Sequence, residues 1–175
     1  VKLPVMPVGA PGAVVTKAAS KNYEYGLRVH PNGAVDIALW TASGNTYQSA
    51  TTSGGAVTAG SWYHLVGTCE NGVACRVYVN GTQRASVTAG WGSTLPADTT
   101  AAVNFGRRGD GVQPLIGSID EVAIYPRALE SGRVQNHYLA RQVTGSAPGS
   151  PPEATATSTA TPLPPTSTAT PLPTN

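Results

Sequence analysis

Charged side chains are scarce in this chain. Asp, Glu, Lys and Arg make up 11% of its 175 residues, and the formal net charge is +2. A nucleic-acid footprint needs Lys and Arg clustered on one face, and here they are spread thinly, so nucleic acid is not an expected partner. Long apolar runs are missing as well. No stretch approaches the roughly 20 residues that cross a membrane as a helix. Catalytic signatures are equally absent: there is no Gly-x-Ser-x-Gly, no glycine-rich phosphate loop and no Cys beside a base. His30, His64 and His137 lack the spacing of zinc ligands. Asp120 and Glu121 are adjacent, so on a strand they point to opposite faces and cannot flank one glycosidic bond. The expectation is a protein that is not an enzyme.

What is present is turn chemistry between short β-rich runs. The centre of the chain is Gly60 to Arg84, GSWYHLVGTCENGVACRVYVNGTQR. Trp62 to Thr68 and Arg76 to Val79 are rich in aromatic and β-branched residues, which fit a pleated, half-buried surface. Asn71-Gly72 and Asn80-Gly81 tolerate positive φ and mark two hairpin reversals. Folding back about Gly72 sets Cys69 against Cys75, Gly67 against Val77 and Leu65 against Val79. These six then share one apolar face, and the two cysteines are placed for a cross-strand disulfide. The alternative is a pair of buried free thiols. Trp62 is assigned to the core.

The same stretch, with GSIDEVAIYPRAL at Gly117 to Leu129, resembles the laminin G-like, concanavalin A-like lectin-glucanase superfamily. The resemblance covers about residues 13 to 141. It implies an all-β jelly-roll sandwich of two antiparallel sheets. In that family another strand ends about where VKLP begins, so one or two N-terminal strands are expected to precede Val1. Members range from lectins and adhesion modules to enzyme appendages, so the resemblance names no ligand.

The remaining runs arrive about every ten residues with turns between them, as in a sandwich. Ala13 to Lys17, Tyr23 to His30, Ala34 to Trp40 and Thr46 to Thr52 read as strands, after a Pro- and Gly-rich loop from Val1 to Gly12. In the third, Val35, Ile37 and Leu39 point one way and Asp36, Ala38 and Trp40 the other. Ala101 to Gly106 and Ile116 to Tyr125 read as the last two strands, with Val122 and Ile124 inward beside Asp120. Leu129 to Arg141 reads as a short helix with Glu130 as N-cap and Leu129–Val134 as a hydrophobic staple. These elements make one domain, 1–143. From residue 144 the composition turns to Thr and Pro, and TSTATPLP at Thr157 to Pro164 recurs at Thr166 to Pro173. Such a segment, 144–175, cannot bury enough apolar area to order itself and serves as a disordered, semi-rigid linker. Further modules of the same polypeptide are expected beside it, in an extracellular protein, secreted or at the cell surface. The disulfide agrees with that setting.

The expected function is a non-catalytic binding module, with carbohydrate as first ligand. Alternatives are a structural module binding extracellular protein, or the accessory domain of a glycoside-processing enzyme. Sugar sites stack a ring on an aromatic side chain and bond hydroxyls to polar ones. The candidates are Trp91, in a Gly-Trp-Gly loop, Trp40, Tyr47, Asp36, Arg107 and Gln113. The alternative for each ring is that it covers an end of the sandwich. For metal, the resemblance implies that an aspartate in the last strand helps hold a structural calcium, which here points to Asp120. The alternative is that Asp120 caps a turn. Asp110 is a second oxygen ligand candidate, or a plain Asp-Gly turn. Arg108-Gly109-Asp110 spells a tripeptide that some integrins read and Asn80-Gly81-Thr82 a glycosylation sequon, and for both a turn is the preferred reading.

Overall fold

The computed structural model describes residues 1–19, 22–40, 47–88 and 100–141, and of Ala19, Asn22, Tyr23 and Tyr47 the backbone alone. Eight strands and one helix run in order among these residues: β1 Gly12–Ala19, β2 Asn22–Val29, β3 Val35–Trp40, β4 Tyr47–Thr51, β5 Leu65–Glu70, β6 Ala74–Val79, β7 Thr82–Thr88, β8 Val103–Phe105 and α1 Ser131–Ala140. One antiparallel sheet has the order β4-β3-β2-β1-β8 and the other β5-β6-β7. The core lies between them. Val29, Val35, Ile37 and Leu39 of the first sheet meet Cys75, Val77 and Val79 of the second. This is the two-layer solution for sheets apolar on one face.

The central hairpin has the expected register. Leu65 faces Val79, Gly67 faces Val77 and Cys69 faces Cys75, and the two cysteines are joined by a disulfide. At the second reversal both turn residues take positive φ, 53° at Asn80 and 77° at Gly81. The Asn80 side chain is engaged there, its Oδ1 accepting the His64 N–H at 3.0 Å. Helix α1 docks on this turn. Tyr138 packs against Gly81 so closely that an added Cβ would stand 3.0 Å from it, and Val134 is buried. Glu130 is the N-cap residue, but its side chain makes no capping bond. Replacing both Cys69 and Cys75 by Ser is expected to destabilise the fold by about 2 kcal/mol, the loop-entropy value for so short a loop. A lower urea midpoint at unchanged slope would report it. An unchanged midpoint would mean that strand pairing alone holds the hairpin.

Three expectations are corrected. Trp62 is not in the core: it precedes β5 and is 46% exposed. Its backbone forms an isolated bridge to Lys2, outside the alternation that turns Leu65 inward. The N-terminal segment is more than a loop, since Leu3 is buried in the core cluster and Val1 and Met6 pack against it. Finally, 116–125 is not a strand. Its sole bridge is Ser118 to Lys2, and Val122 and Ile124 are 45% and 52% exposed rather than inward. A strand exists through its neighbours' hydrogen bonds, and beyond Ser118 this stretch has none among the described residues. Glu121 moreover takes a φ of 53°, which interrupts an extended run.

Candidate ligand-binding site

Side-chain alternation along β3 divides its residues as expected. Val35, Ile37 and Leu39 enter the core, so Asp36, Ala38 and Trp40 belong to the other face of the sheet. Pairing extends that face across neighbouring strands. Trp40 lies opposite Tyr47, Ala38 opposite Ser49, and Asp36 opposite Thr51 on one side and Arg28 on the other. An aromatic pair in register thus stands at one end of β3 and a charged pair near the other.

Asp36 is 1% exposed, and both of its carboxylate oxygens are engaged. Arg28 Nε donates to Oδ1 at 3.0 Å and Arg28 Nη2 to Oδ2. His30 Nε2 lies 3.2 Å from Oδ2. Burial alone would raise the pKa of this carboxyl. The contacts with His30 and Arg28 outweigh burial and hold it below its ordinary value. Asp36 therefore clamps β2 to β3. Arg28 and His30 are the functional partners that sequence reasoning missed. The signal was there: Pro31-Asn32-Gly33 centres a reversal on Asn32, and counting outward sets Arg28 against Asp36.

The loop after β8 lies along β1. Gly106 N–H donates to the Val14 carbonyl, Ala13 N–H to the Gln113 carbonyl at 3.0 Å, and Thr16 Oγ1 to the Arg107 carbonyl at 3.1 Å. Arg107 itself is exposed and Gln113 half-buried. Within this loop Arg108 grips Asp110 at both oxygens, at 2.8 and 2.6 Å. That pairing holds the Asp110 carboxyl below its usual pKa. The two charges of the Arg-Gly-Asp tripeptide are thus spent on each other. Asp120 is exposed, and its Oδ1 accepts the Glu121 N–H at 2.9 Å. Among the described residues no three His, Cys, Asp or Glu side chains gather as a metal site.

Asp36 and Trp40 therefore share one face of β3, with residue 47 opposite Trp40 in the backbone register, while Arg107 and Gln113 sit on the loop beside β1, across β2 from them. Trp91 lies outside the described residues. So do the expected turn at Ser43-Gly44-Asn45, the loop around Trp91 and the Thr/Pro-rich segment.

A second feature is a cleft of about 380 Å³ between the sheets. Tyr25, Leu27, Ile37 and Leu39 line one wall, and Val122 and Ile124 belong to the opposite rim. It opens where the expected last strand fails to pair.

Residues 2–135 match the family model of the concanavalin A-like lectin/glucanases superfamily. No curated protein matches the chain. Among solved structures, the binding domain of Paraclostridial Mosquitocidal Protein 1 superposes with a TM-score of 0.56 at 15% identity, over 80% of this chain and 35% of that one. The receptor-binding domain of botulinum neurotoxin D gives 0.54 at 13% identity, over 76% and 33%. This chain spans about a third of those two, 35% and 33%, and the likeness is one of fold. No helix among the described residues is long and apolar enough to cross a membrane.

Proposed function

The chain belongs to the concanavalin A-like lectin/glucanases superfamily, and on that premise we propose that it is a non-catalytic carbohydrate-binding module of an extracellular, multidomain protein. The observation that carries this reading is Trp40, which alternation along β3 sets on the sheet face turned away from the core, with residue 47, a tyrosine, opposite it in the backbone register. Aromatic rings on such a face suit the apolar side of a sugar, and polar groups around them fix its orientation. Arg107 and Gln113 are the polar candidates on the neighbouring loop, and Trp91 is a further ring. The carboxylates of Asp36 and Asp110 are each held by an arginine, and Glu24 pairs with Lys17 at 2.6 Å, so these three are not the free acid and base that a glycosidase needs. The disulfide supports an extracellular setting. The two solved domains of similar fold are described as binding domains, which agrees with a binding role here. In this reading the Thr/Pro-rich segment, 144–175, is a spacer to a further module.

A glycan array and a polysaccharide panel test it, run with calcium and with a chelator. Saturable binding is expected, weakened at least tenfold by Trp40→Ala and by Trp91→Ala. Loss of binding in chelator would bring Asp120 or Asp110 in as calcium ligands. The absence of any glycan signal from a folded chain would overturn the sugar reading. Weight would then move to protein adhesion, which the exposed apolar side chains of Phe105, Val112 and Ile116 favour.

A further inference from the structure

The sequence holds three Asn-Gly steps, Asn32-Gly33, Asn71-Gly72 and Asn80-Gly81, and each lies in a turn. Such a step carries a latent reaction. The glycine amide nitrogen, once it gives up its proton, can attack the carbonyl carbon of the Asn side chain, and glycine puts no side chain in the way. Two groups must be free for this. The Asn amide has to rotate onto the backbone, and the glycine N–H must not be committed to an acceptor. Backbone N–H groups bond strongly wherever an acceptor is offered, so the fold decides which steps are restrained.

Two of the three are tied down. At Asn32, Oδ1 accepts the Ala34 N–H at 3.0 Å. Gly33 is buried, and its N–H donates to the His30 carbonyl at 2.9 Å. At Asn80, Oδ1 accepts the His64 N–H at 3.0 Å, and Tyr138 stands against Gly81, 3.0 Å from where a Cβ would be. Asn71-Gly72 differs in each respect. Both residues are exposed, and nothing lies within 4 Å of a Cβ added at Gly72. Among the described residues neither the Asn71 side chain nor the Gly72 N–H has a hydrogen-bond partner. The turn is closed by the Val73 N–H donating to the Glu70 carbonyl at 3.1 Å, which spans the step without using either group.

We propose that Asn71 is a site of self-modification, at which the side-chain amide closes on the Gly72 nitrogen and water reopens the ring to aspartate or isoaspartate. In the first step the bond from Gly72 N to Asn71 Cγ forms and the Cγ–Nδ2 bond breaks. Nδ2 leaves as ammonia with the proton that Gly72 gave up, and a succinimide remains. In the second step water adds to one ring carbonyl, and that carbon's bond to the ring nitrogen breaks. Opening at Cγ gives aspartate. Opening at the main-chain carbonyl carbon gives isoaspartate, whose main chain runs through the former side chain and is one carbon longer. Either product sets a carboxylate beside Glu70 at the tip of the hairpin and lowers the formal net charge of +2 by one unit. The Cys69–Cys75 bond joins the two strands next to the altered turn, so the hairpin stays closed while its loop lengthens. The reaction is independent of any sugar binding.

The test holds the full chain, disulfide intact, in mildly alkaline buffer and samples it by ion exchange and peptide mass spectrometry. A more acidic species is expected, one mass unit heavier, with conversion at Asn71 at least tenfold faster than at Asn32 or Asn80. Asn71→Gln should remove that species, because the longer side chain has to close a larger ring. The same chain, reduced and unfolded in urea, is expected to convert all three sites at similar rates, since Asn32 and Asn80 then lose the hydrogen bonds that restrain them. Similar rates at the three sites in the folded chain, or a faster rate at Asn32 or Asn80, would overturn the proposal. A preference for Asn71 that persists unchanged in urea would assign it to the neighbouring residues rather than to the fold, and would overturn it as well.

Discussion

Asp36→Asn is expected to destabilise the fold by about 3–5 kcal/mol, the range for breaking a buried ion pair from one side. The substitution leaves the Arg28 side chain, which is 8% exposed, without its counter-charge between β2 and β3. The double variant Arg28→Met with Asp36→Leu is expected to recover most of the loss, because two apolar side chains leave no charge to desolvate. Denaturant unfolding of the three variants decides it. A loss under about 1 kcal/mol for Asp36→Asn would place the pair among solvent-screened surface bridges and remove its role as a clamp. The pH dependence follows from the direction of the shift. The folded carboxyl has a pKa below 3.8, so its contribution to stability is fully present above that value. It is lost as pH falls through the lower, folded value. Between pH 7 and pH 5 the carboxyl itself is expected to contribute no slope, so its own share of the stability difference between the native chain and the double variant should be lost only in strong acid.

Gly33→Ala is the second change expected to be costly. Gly33 sits in the turn between β2 and β3 with a φ of +79°, and an added Cβ would stand 2.3 Å from the Val57 carbonyl oxygen. Two penalties coincide there. An L-residue in the left-handed region costs about 1–2 kcal/mol, and the clash with a backbone atom cannot be relieved by a rotamer change. Together they are expected to exceed about 3 kcal/mol, in the tail reserved for named steric faults. Gly55 is the matched control, with a φ of +74° but nothing within 4 Å of the added Cβ. Gly55→Ala should therefore show the conformational penalty alone. Melting temperatures that fall equally in the two variants would refute the steric part.

Much of this chain was legible as a string of residues. Periodicity of two and paired Asn-Gly turns specify antiparallel hairpins, and the register about Gly72 follows from counting, down to the Cys69–Cys75 bond. The same counting about Asn32 would have found the Arg28–Asp36 pair, had charge been tracked across the turn as apolar residues were. Trp62 was misplaced because composition suggests burial while only the point at which pairing begins decides it. The stretch 116–125 has the alternation of a strand, but alternation describes which face a residue would take, not whether a neighbour is there to bond it.

The sequence by itself determined the fold class, the family and the disulfide, because these rest on local turn geometry and on alternation within single hairpins. Tertiary structure alone decided that Asp36 is a buried clamp between two strands, that Asp110 is held by Arg108, and that a cleft lies between β5 and 119–125. Each of these depends on which backbone groups from distant parts of the chain meet, and such meetings are set by the packing of one sheet on another rather than by any local preference.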